Sequence, residues 1–254
     1  MSSQNPAPAP RIGLFGAGGR MGRAIMTAAD AVPLVLAGGI GRAGAVLGRY
    51  PDASALAGGC DVLIDFSTPD ALARHLAAAH AAGTAIVIGT TGLRDDQHAA
   101  IDAAARDIPV LQAANTALGV TILAHLVREA ATRLGPDWDI EIVEMHHRHK
   151  RDAPSGTALL LGAAAAEGRG AALADLGRTS RIGAREPGTI GFAALRGGSV
   201  AGDHQVVFAT EGERIEIGHR AEDRGIFARG ALRAALWLAG RPAGRYTMTD
   251  IFGA

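Results

Sequence analysis

The stretch RIGLFGAGGRMGRAIMTAADA, residues 11–31, decides the fold of this chain. A short apolar run ends in a cluster of glycines, and the residues after it place Met21, Ile25 and Ala28 at helical spacing. We therefore predict a strand, a tight turn and a helix. Glycines in such a turn let backbone N–H groups approach a pyrophosphate, which the positive end of the following helix also favours.

The same alternation of strand and helix continues toward residue 115. Further apolar strands are predicted in LVLAGGI, CDVLIDFSTP, TAIVIGTTG and IPVLQAAN. Between them, PDALARHLAAAHAAG carries Leu72, Leu76 and Ala79 on one helical stripe, with Gly83 as its stop, and RDDQHAAIDAAARD is a second helix. Strands that alternate with helices indicate crossover connections, so an α/β fold with a parallel sheet is predicted.

The pattern changes after residue 115. TALGVTILAHLVREAATRLG predicts a long helix closed by Gly135, and WDIEIVEM then alternates in polarity. Further on, Val206/Phe208 and Ile215/Ile217 alternate at period two, as in antiparallel strands with one buried face. IFARGALRAALWLAG returns to a helix that can dock on the first lobe. We predict a disordered leader at 1–10, one domain formed by 11–116 and 225–254, and a second at 117–224.

Composition excludes several classes of protein. Among the 254 residues, 25 Lys and Arg balance 25 Asp and Glu, so no overall positive field points to nucleic acid. Cys60 is the only cysteine, which suits a reducing cytoplasm. The first residues have no signal-peptide pattern, and no apolar run approaches the roughly 20 residues of a membrane span. A cytoplasmic protein with no nucleic-acid or membrane partner is predicted.

The glycine loop departs slightly from a dinucleotide-binding fingerprint. In GAGGRMG the glycine that corresponds to the third glycine of the fingerprint, Gly22, comes one residue late because Met21 holds the sixth position. A merely tight turn is the alternative. After the second strand the sequence reads AGGIGRAG, with no carboxylate for ribose hydroxyls and with Arg42 in reach of a 2′-phosphate. This favours NADPH, with NADH as the alternative, unless Arg42 is an ordinary surface residue.

Small residues end the later strands of the predicted sheet. GTTG at 89–92 and AANT at 113–116 come directly after the two strands. In open parallel sheets, ligands collect at the carboxyl ends of the strands. Each of these segments alone is a plain turn, but together with the glycine loop they leave room for a nicotinamide and its ribose.

A basic, histidine-rich run begins in the second lobe at EMHHRHKRDAPSGTALLLG, starting from Glu144. A metal site is one reading, but the cations Arg148, Lys150 and Arg151 interleave with the histidines and oppose it. A nucleic-acid patch and a solvated loop without a role are two others. We favour an anionic small molecule, because the run supplies cations and proton-carrying imidazoles just before a predicted helix start that suits a carboxylate.

Motifs along nearly the whole chain resemble those of the dihydrodipicolinate (4-hydroxy-tetrahydrodipicolinate) reductase family. They are, in order, GAGGRMG, IDFSTP, VIGTTG, AAN, EMHHRHKRDAPSGTA, PGTIGF and ALWLAG. The resemblance implies a Rossmann-like dinucleotide-binding domain, a mixed α/β domain for substrate binding and oligomerisation, and a homotetramer. It implies hydride transfer from NADPH or NADH to a cyclic imine dicarboxylate, in lysine and diaminopimelate biosynthesis.

The resemblance also implies roles for individual residues. His146 would be the proton donor and acceptor, and Lys150 the cationic partner that assists protonation. The substrate carboxylates would be bound by His147, Ser155, Gly156 and Thr157. The cofactor would be lined by Gly16, Ala17, Gly18, Gly19, Arg20, Met21, Gly89, Thr90, Thr91, Ala113, Ala114, Asn115 and Thr116. Arg42 joins this set because no carboxylate follows the second strand. No metal is implied.

Three departures from the family pattern stand out. Gly41 followed by Arg42 replaces an acidic residue common at the end of the second strand, which again favours NADPH. The stretch from Gly48 to Asp61 looks short, as if a strand and a helix were missing. Thr116 stands where an aromatic residue is common, so stacking beside the nicotinamide is expected to be lost.

Two other functions stay open from the sequence alone. One is a different nicotinamide-dependent reductase of a small carboxylate. The other is a dinucleotide-binding sensor without catalysis, against which the presence of both His146 and Lys150 counts. The remaining histidines are expected at surface or satisfied buried positions; they are His75, His80, His98, His125, His204 and His219.

Overall fold

The computed structural model describes residues 8–179, 183–223 and 225–253. Most of the predicted leader therefore lies outside the described residues. The chain divides into two compact units, one formed by Met1–Ala117 with Gly225–Ala254 and the other by Leu118–Arg224. Within the described part of the chain, no helix has the length and apolar character needed to cross a membrane.

The first unit is built on a seven-stranded sheet with the order β12-β6-β5-β4-β1-β2-β3. Its strands are β1 (Arg11–Phe15), β2 (Val35–Gly41), β3 (Gly44–Leu47), β4 (Val62–Asp65), β5 (Ala85–Ile88), β6 (Pro109–Gln112) and β12 (Gly244–Tyr246). Its helices are α1 (Arg20–Ala29), α2 (Ala53–Gly58), α3 (Pro69–Ala82), α4 (Asp95–Ala104) and α8 (Gly225–Leu238), and a 3-10 turn spans Thr249–Phe252. All pairs are parallel except β2 with β3.

Local signals account for these elements. β4 and β5 are buried at every position, as expected of parallel strands covered on both faces. Helix α3 starts at Pro69 and ends at Gly83, whose φ of 66° is left-handed and suits glycine. Its predicted stripe is buried in the core. The predicted α/β fold with a parallel sheet is confirmed.

The stretch from Gly48 to Asp61, expected to have lost a strand and a helix, retains the short helix α2. The side chain of Asp52 caps it by accepting from the N–H of Ala55 at 2.8 Å. Leu56 and Ala57 are fully buried in the core of the unit. Six residues are too few to show a helical period, so the sequence does not predict this helix.

The second unit is built on a five-stranded mixed sheet with the order β11-β10-β7-β9-β8. Its strands are β7 (Asp139–His146), β8 (Gly177–Arg178), β9 (Ile190–Arg196), β10 (Gly202–Thr210) and β11 (Glu213–Ala221). Its helices are α5 (Leu118–Leu134), α6 (Gly156–Gly168) and α7 (Leu173–Leu176). β10 is antiparallel to β7 and β11, whereas β7 and β8 run parallel to β9.

Helices α5 and α6 pack on one face of this sheet. The shared core contains Val127 of α5, Leu161 of α6, and Ile142 and Phe208 of the sheet. The prediction that Ile215 lies on the buried face is wrong, because its side chain is 40% exposed. β11 is the edge strand of the sheet, and alternation in polarity does not show where a sheet ends.

Candidate active site

The glycine loop after β1 is a turn in which two positions can be occupied only by glycine. A Cβ on Gly16, whose φ is 79°, would lie 2.3 Å from the carbonyl oxygen of Phe66. A Cβ on Gly22 would lie 2.4 Å from the carbonyl oxygen of Gly16. Helix α1 then begins after Gly19 with no side-chain cap, so its first N–H groups need an external acceptor. The phosphates of a dinucleotide fit this requirement.

Arg42 lies close to this loop. The N–H groups of Gly16 and Ala17 both donate to the carbonyl of Ile40, at 2.9 and 3.1 Å, which ties the loop to the end of β2. Arg42 and Ala43 form the turn between the antiparallel strands β2 and β3, and Arg42 is exposed. The guanidinium is therefore carried by a short hairpin beside the predicted phosphate site.

A cavity of about 510 Å³ opens at the carboxyl ends of the parallel strands. The predicted cofactor residues that line it are Arg20, Met21, Gly89, Thr90, Thr91, Ala114, Asn115 and Thr116. The remaining predicted residues do not line it: they are Gly16, Ala17, Gly18, Gly19, Arg42 and Ala113. A nicotinamide dinucleotide fits the combination of an uncapped helix start and a cavity beside it at the strand ends.

Sequence reasoning missed several lining residues. The loop after β4 contributes Phe66, Ser67, Thr68 and Pro69, and α8 contributes Phe227. The residues of the loop after β4 could have been predicted from the sequence, because the motif IDFSTP lies at the end of a strand of the parallel sheet. Phe227 could not, because it lies 111 residues from Thr116 along the chain.

Thr116 shows how Phe227 reaches the cavity. Thr116 is buried, and its Oγ1 donates to the carbonyl of Phe227 at 2.7 Å. Helix α8 comes so close that a Cβ on Gly230 would overlap the Thr116 carbonyl oxygen, at 1.7 Å. An aromatic residue of α8 therefore lies next to Thr116, the position at which the sequence predicts that an aromatic group is missing.

A buried carboxylate organises the loops around the cavity. Asp65, at the end of β4, has no exposed surface. It accepts from the backbone N–H of Ser67 at 2.8 Å, from Thr90 Oγ1 at 3.2 Å and from His75 Nδ1 at 2.9 Å. His75 in turn stacks on Phe15 with ring centroids 3.9 Å apart. These contacts join two loops that line the cavity, and the sequence alone did not indicate them.

In the second unit, β7 delivers the histidine-rich run. Glu144 and His146 share the buried face of β7 with Ile140 and Ile142. His146 Nδ1 lies 2.6 Å from Glu144 Oε2. Lys150, in the loop after β7, pairs with Asp152 at 2.8 Å, and its side chain is 20% exposed. The two predicted catalytic residues thus differ in setting: His146 is buried against a carboxylate, and Lys150 is partly buried in the loop that follows.

Arg196 links these two residues. From β9, it donates Nη1 to Glu144 Oε2 and Nη2 to Glu144 Oε1, both at 2.8 Å, and Nη2 also donates to the carbonyl of Asp152. Burial alone raises the pKa of Glu144, but hydrogen bonds from Arg196 and His146 outweigh it and hold that pKa below its usual value. The hydrogen bond from Lys150 lowers the pKa of Asp152. Both carboxylates are therefore ionised at neutral pH.

The start of α6 places the predicted carboxylate-binding residues next to this network. Ser155 caps the helix, and its Oγ accepts from the N–H of Ala158 at 3.2 Å. Its own N–H donates to Glu144 Oε1 at 3.1 Å, and its side chain is fully buried. Gly156 is exposed, with open space where a Cβ would be. The Ser155 hydroxyl therefore holds the helix start, and the exposed backbone at Gly156 is the better placed to meet an anion.

His204 is a further buried residue of this site that the sequence did not single out. Its Nε2 lies 3.0 Å from Ser155 Oγ, and its ring meets that of His146 edge-on at 5.0 Å. Desolvation by burial, followed by repulsion from His146, lowers the pKa of His204 to about 4. Within the described ranges, no cluster of three or more histidine, cysteine or acidic side chains could hold a metal ion.

Comparison with known proteins gives consistent matches over both units. Family models described as the N-terminus and the C-terminus of dihydrodipicolinate reductase match residues 10–116 and 119–252. The 4-hydroxy-tetrahydrodipicolinate reductase of Zymomonas mobilis is 63% identical over 246 residues, covering 96% of this chain and 97% of the relative. That of Parvibaculum lavamentivorans is 52% identical over 264 residues, with coverage of 96% and 97%.

A solved structure shares the fold. The dipicolinate-bound dihydrodipicolinate reductase from Paenisporosarcina sp. TG-14 superposes with a TM-score of 0.76 at 21% identity. The alignment covers 94% of this chain and 97% of that structure. At this level of identity the match concerns the fold alone.

The lowered pKa of His204 predicts a pH-dependent stability. The unfolded chain takes up a proton at this residue near pH 6.5, whereas the folded protein resists it until about pH 4. Stability is therefore lost as the pH falls through this window, by up to about 3 kcal/mol. We expect His204→Gln to flatten the dependence of the unfolding free energy on pH, measured by urea denaturation between pH 7 and pH 4. The exposed His149→Gln is the control, and equal slopes for wild type and His204→Gln would contradict the assignment.

Proposed function

The chain belongs to the dihydrodipicolinate reductase family, and from this premise we propose how its residues carry out the reaction. It is an NAD(P)H-dependent oxidoreductase that reduces 4-hydroxy-tetrahydrodipicolinate to tetrahydrodipicolinate, a step of lysine and diaminopimelate biosynthesis. The observation that carries the residue assignment is the chain of contacts from His146 through Glu144, Arg196 and Asp152 to Lys150. This series of contacts connects a proton carrier to a cation beside a helix start.

The nicotinamide, when bound, supplies the hydride. The first unit would hold the dinucleotide with the uncapped start of α1 against its phosphates and with the cavity residues around its nicotinamide end. The buried Asp65 keeps the loops after β4 and β5 in place for this. The family membership supports a nicotinamide cofactor, and the choice of NADPH is our proposal.

The second unit would bind the dicarboxylate and supply the proton. Lys150 offers a positive charge, and Gly156 and Thr157 are the first residues of α6, where a carboxylate is favoured. We also assign carboxylate binding to His147, which follows β7. Once the 4-hydroxyl group has left as water, the unsaturated ring accepts the hydride and must also gain a proton. We assign this proton transfer to His146, because an imidazole can hold and release a proton. Lys150 would assist by stabilising negative charge on the substrate.

We further propose a homotetramer that forms through the sheet face opposite α5 and α6. This face exposes 51% of Leu195 and partly exposes Val143 and Met145. A cavity of about 460 Å³ lies among these residues. Its border includes Asp203, Gln205, Glu216 and Arg220. An apolar centre with a charged rim is the usual composition of a surface that binds another protein chain.

The reaction is tested by oxidation of NADPH and of NADH, with dihydrodipicolinate synthase generating the labile substrate in place. Wild-type protein should turn over, and His146→Gln should lower kcat by about 100-fold or more, because a proton donor acts in the transition state. The Kd of NADPH, from calorimetry, should stay unchanged. His149→Gln, which changes another histidine of the histidine-rich run, is the matched control. Binding of NADPH without turnover by the wild type would instead support a different reductase or a sensor.

Cofactor preference depends on Arg42 in this proposal. Arg42→Ala should raise the Kd of NADPH about tenfold, because a charge-assisted contact with the 2′-phosphate is lost. The Kd of NADH should not change. Arg106→Ala, an exposed arginine after α4 in the same unit, is the control. An equal loss for both cofactors would show that Arg42 does not contact the 2′-phosphate.

The tetramer is tested by mass in solution. Wild-type protein should show four times the 25.9 kDa chain mass by light scattering. Leu195→Glu should lower this mass, because it places a charge in the centre of the proposed interface. Leu126→Glu changes a residue of similar exposure, 46%, on α5 and should leave the mass unchanged. A monomeric wild type would contradict the proposal.

A further inference from the structure

Glu144 is a carboxylate in a place where a charge is costly. Its side chain is 1% exposed, and it lies on the same face of β7 as Ile140 and Ile142, which are fully buried. A buried charge persists only where ion pairs and hydrogen bonds replace its hydration. Four contacts do so here: two from Arg196, one from the N–H of Ser155 and one from His146 Nδ1.

These contacts fix how His146 holds its protons. An ionised carboxylate has no hydrogen to donate, so the atom facing it must be the donor. Nδ1 of His146, at 2.6 Å from Glu144 Oε2, therefore carries a proton in both charge states of the ring. The other nitrogen, Nε2, is the one at which a proton can come and go.

The surroundings of Nε2 leave it available. Nε2 makes no hydrogen bond to any of the described residues, and it faces Gly202, on which a Cβ would lie 3.0 Å away. A side chain there would crowd the ring nitrogen. The ring of His204 lies beside His146, and its own Nε2 is hydrogen-bonded to Ser155 Oγ, so it does not occupy Nε2 of His146.

We propose that Glu144, held by Arg196, is a positioning residue that fixes the His146 tautomer with Nδ1 protonated, so that Nε2 exchanges the proton with the substrate. This deepens the function proposed above and rests on it. Arg196 has two roles in this arrangement. Its bidentate pair keeps Glu144 ionised, and its bond to the Asp152 carbonyl holds the segment that pairs with Lys150.

A purely structural ion pair is the competing explanation. Glu144 and Arg196 join neighbouring strands, and removal of Arg196 leaves the charge of Glu144 buried without its bidentate partner. Loss of activity in a single variant could then follow from a disturbed fold. A measurement of the tautomer itself, and a variant that removes both charges together, separate the two explanations.

The tautomer can be measured in the wild-type protein without substrate. Protein labelled with ¹⁵N-histidine, at a pH high enough to leave the ring neutral, should show His146 protonated at Nδ1 with a bare Nε2. The signal is assigned by its absence in His146→Gln. A wild-type ring protonated at Nε2 instead would overturn the proposal, whatever the variants do. Because no turnover is needed, this result is independent of whether the proposed reaction is correct.

The role in the reaction is tested with Glu144→Gln and with the double variant Glu144→Leu, Arg196→Met, which replaces the pair by apolar groups of similar volume. In the double variant, which leaves Nδ1 without its acceptor, we expect a mixed or reversed tautomer. In both variants we expect a kcat about 100-fold lower, because neither retains the carboxylate that stabilises the protonated ring. The Kd of NADPH should change less than twofold, because its proposed residues belong to the other unit. The surface pair formed by Glu167 and Arg128, 3.3 Å apart, provides the control as Glu167→Leu, Arg128→Met, which should retain wild-type kcat.

The double variant decides between the two explanations. If it folds and keeps wild-type kcat, the pair is structural and the proposal is overturned. An unchanged tautomer in the double variant would also overturn it, even if kcat falls. If Glu144→Gln does not fold, the double variant and the wild-type spectrum still test the proposal.

Discussion

The buried charge of Glu144 is the constraint on which the second unit depends. A carboxylate on the core face of a strand must find donors within the protein, and here they come from three elements: β7 itself, β9 through Arg196, and the start of α6 through Ser155. The same bonds that satisfy the charge fix the position of α6 relative to the sheet. One group thus positions both the helix start and the imidazole to which we assign substrate binding and proton transfer.

The first unit solves a similar problem in the same way. Asp65 ends β4 without exposure to solvent, and its oxygens accept from the loops that follow β4 and β5 and from His75. Loops at the end of a parallel sheet have backbone groups that the sheet does not satisfy. A carboxylate below them provides acceptors and makes the cavity wall rigid. In each unit, a buried carboxylate positions the residues that we propose to contact the ligand.

Much of this architecture follows from local sequence. Strand and helix alternation, the stop of α3 at Gly83 and the helix start at Ser155 are confirmed, since each depends on a few neighbouring residues. The short helix α2 and the exposure of Ile215 at a sheet edge were not anticipated. A six-residue helix has little periodicity, and edges are set by strand order, which periodicity does not contain.

By itself the sequence determined the α/β class, the glycine loop, and the residues whose motifs place the chain in its family, because glycine turns and helix starts are local properties. Only the tertiary structure decided which groups act on those residues. Arg196 meets Glu144 across 52 residues because β7 and β9 pair in a register that sets His146 against Arg196. Phe227 reaches the cavity through its bond with Thr116, 111 residues away. Such contacts depend on strand order and helix packing, which no short stretch of sequence encodes.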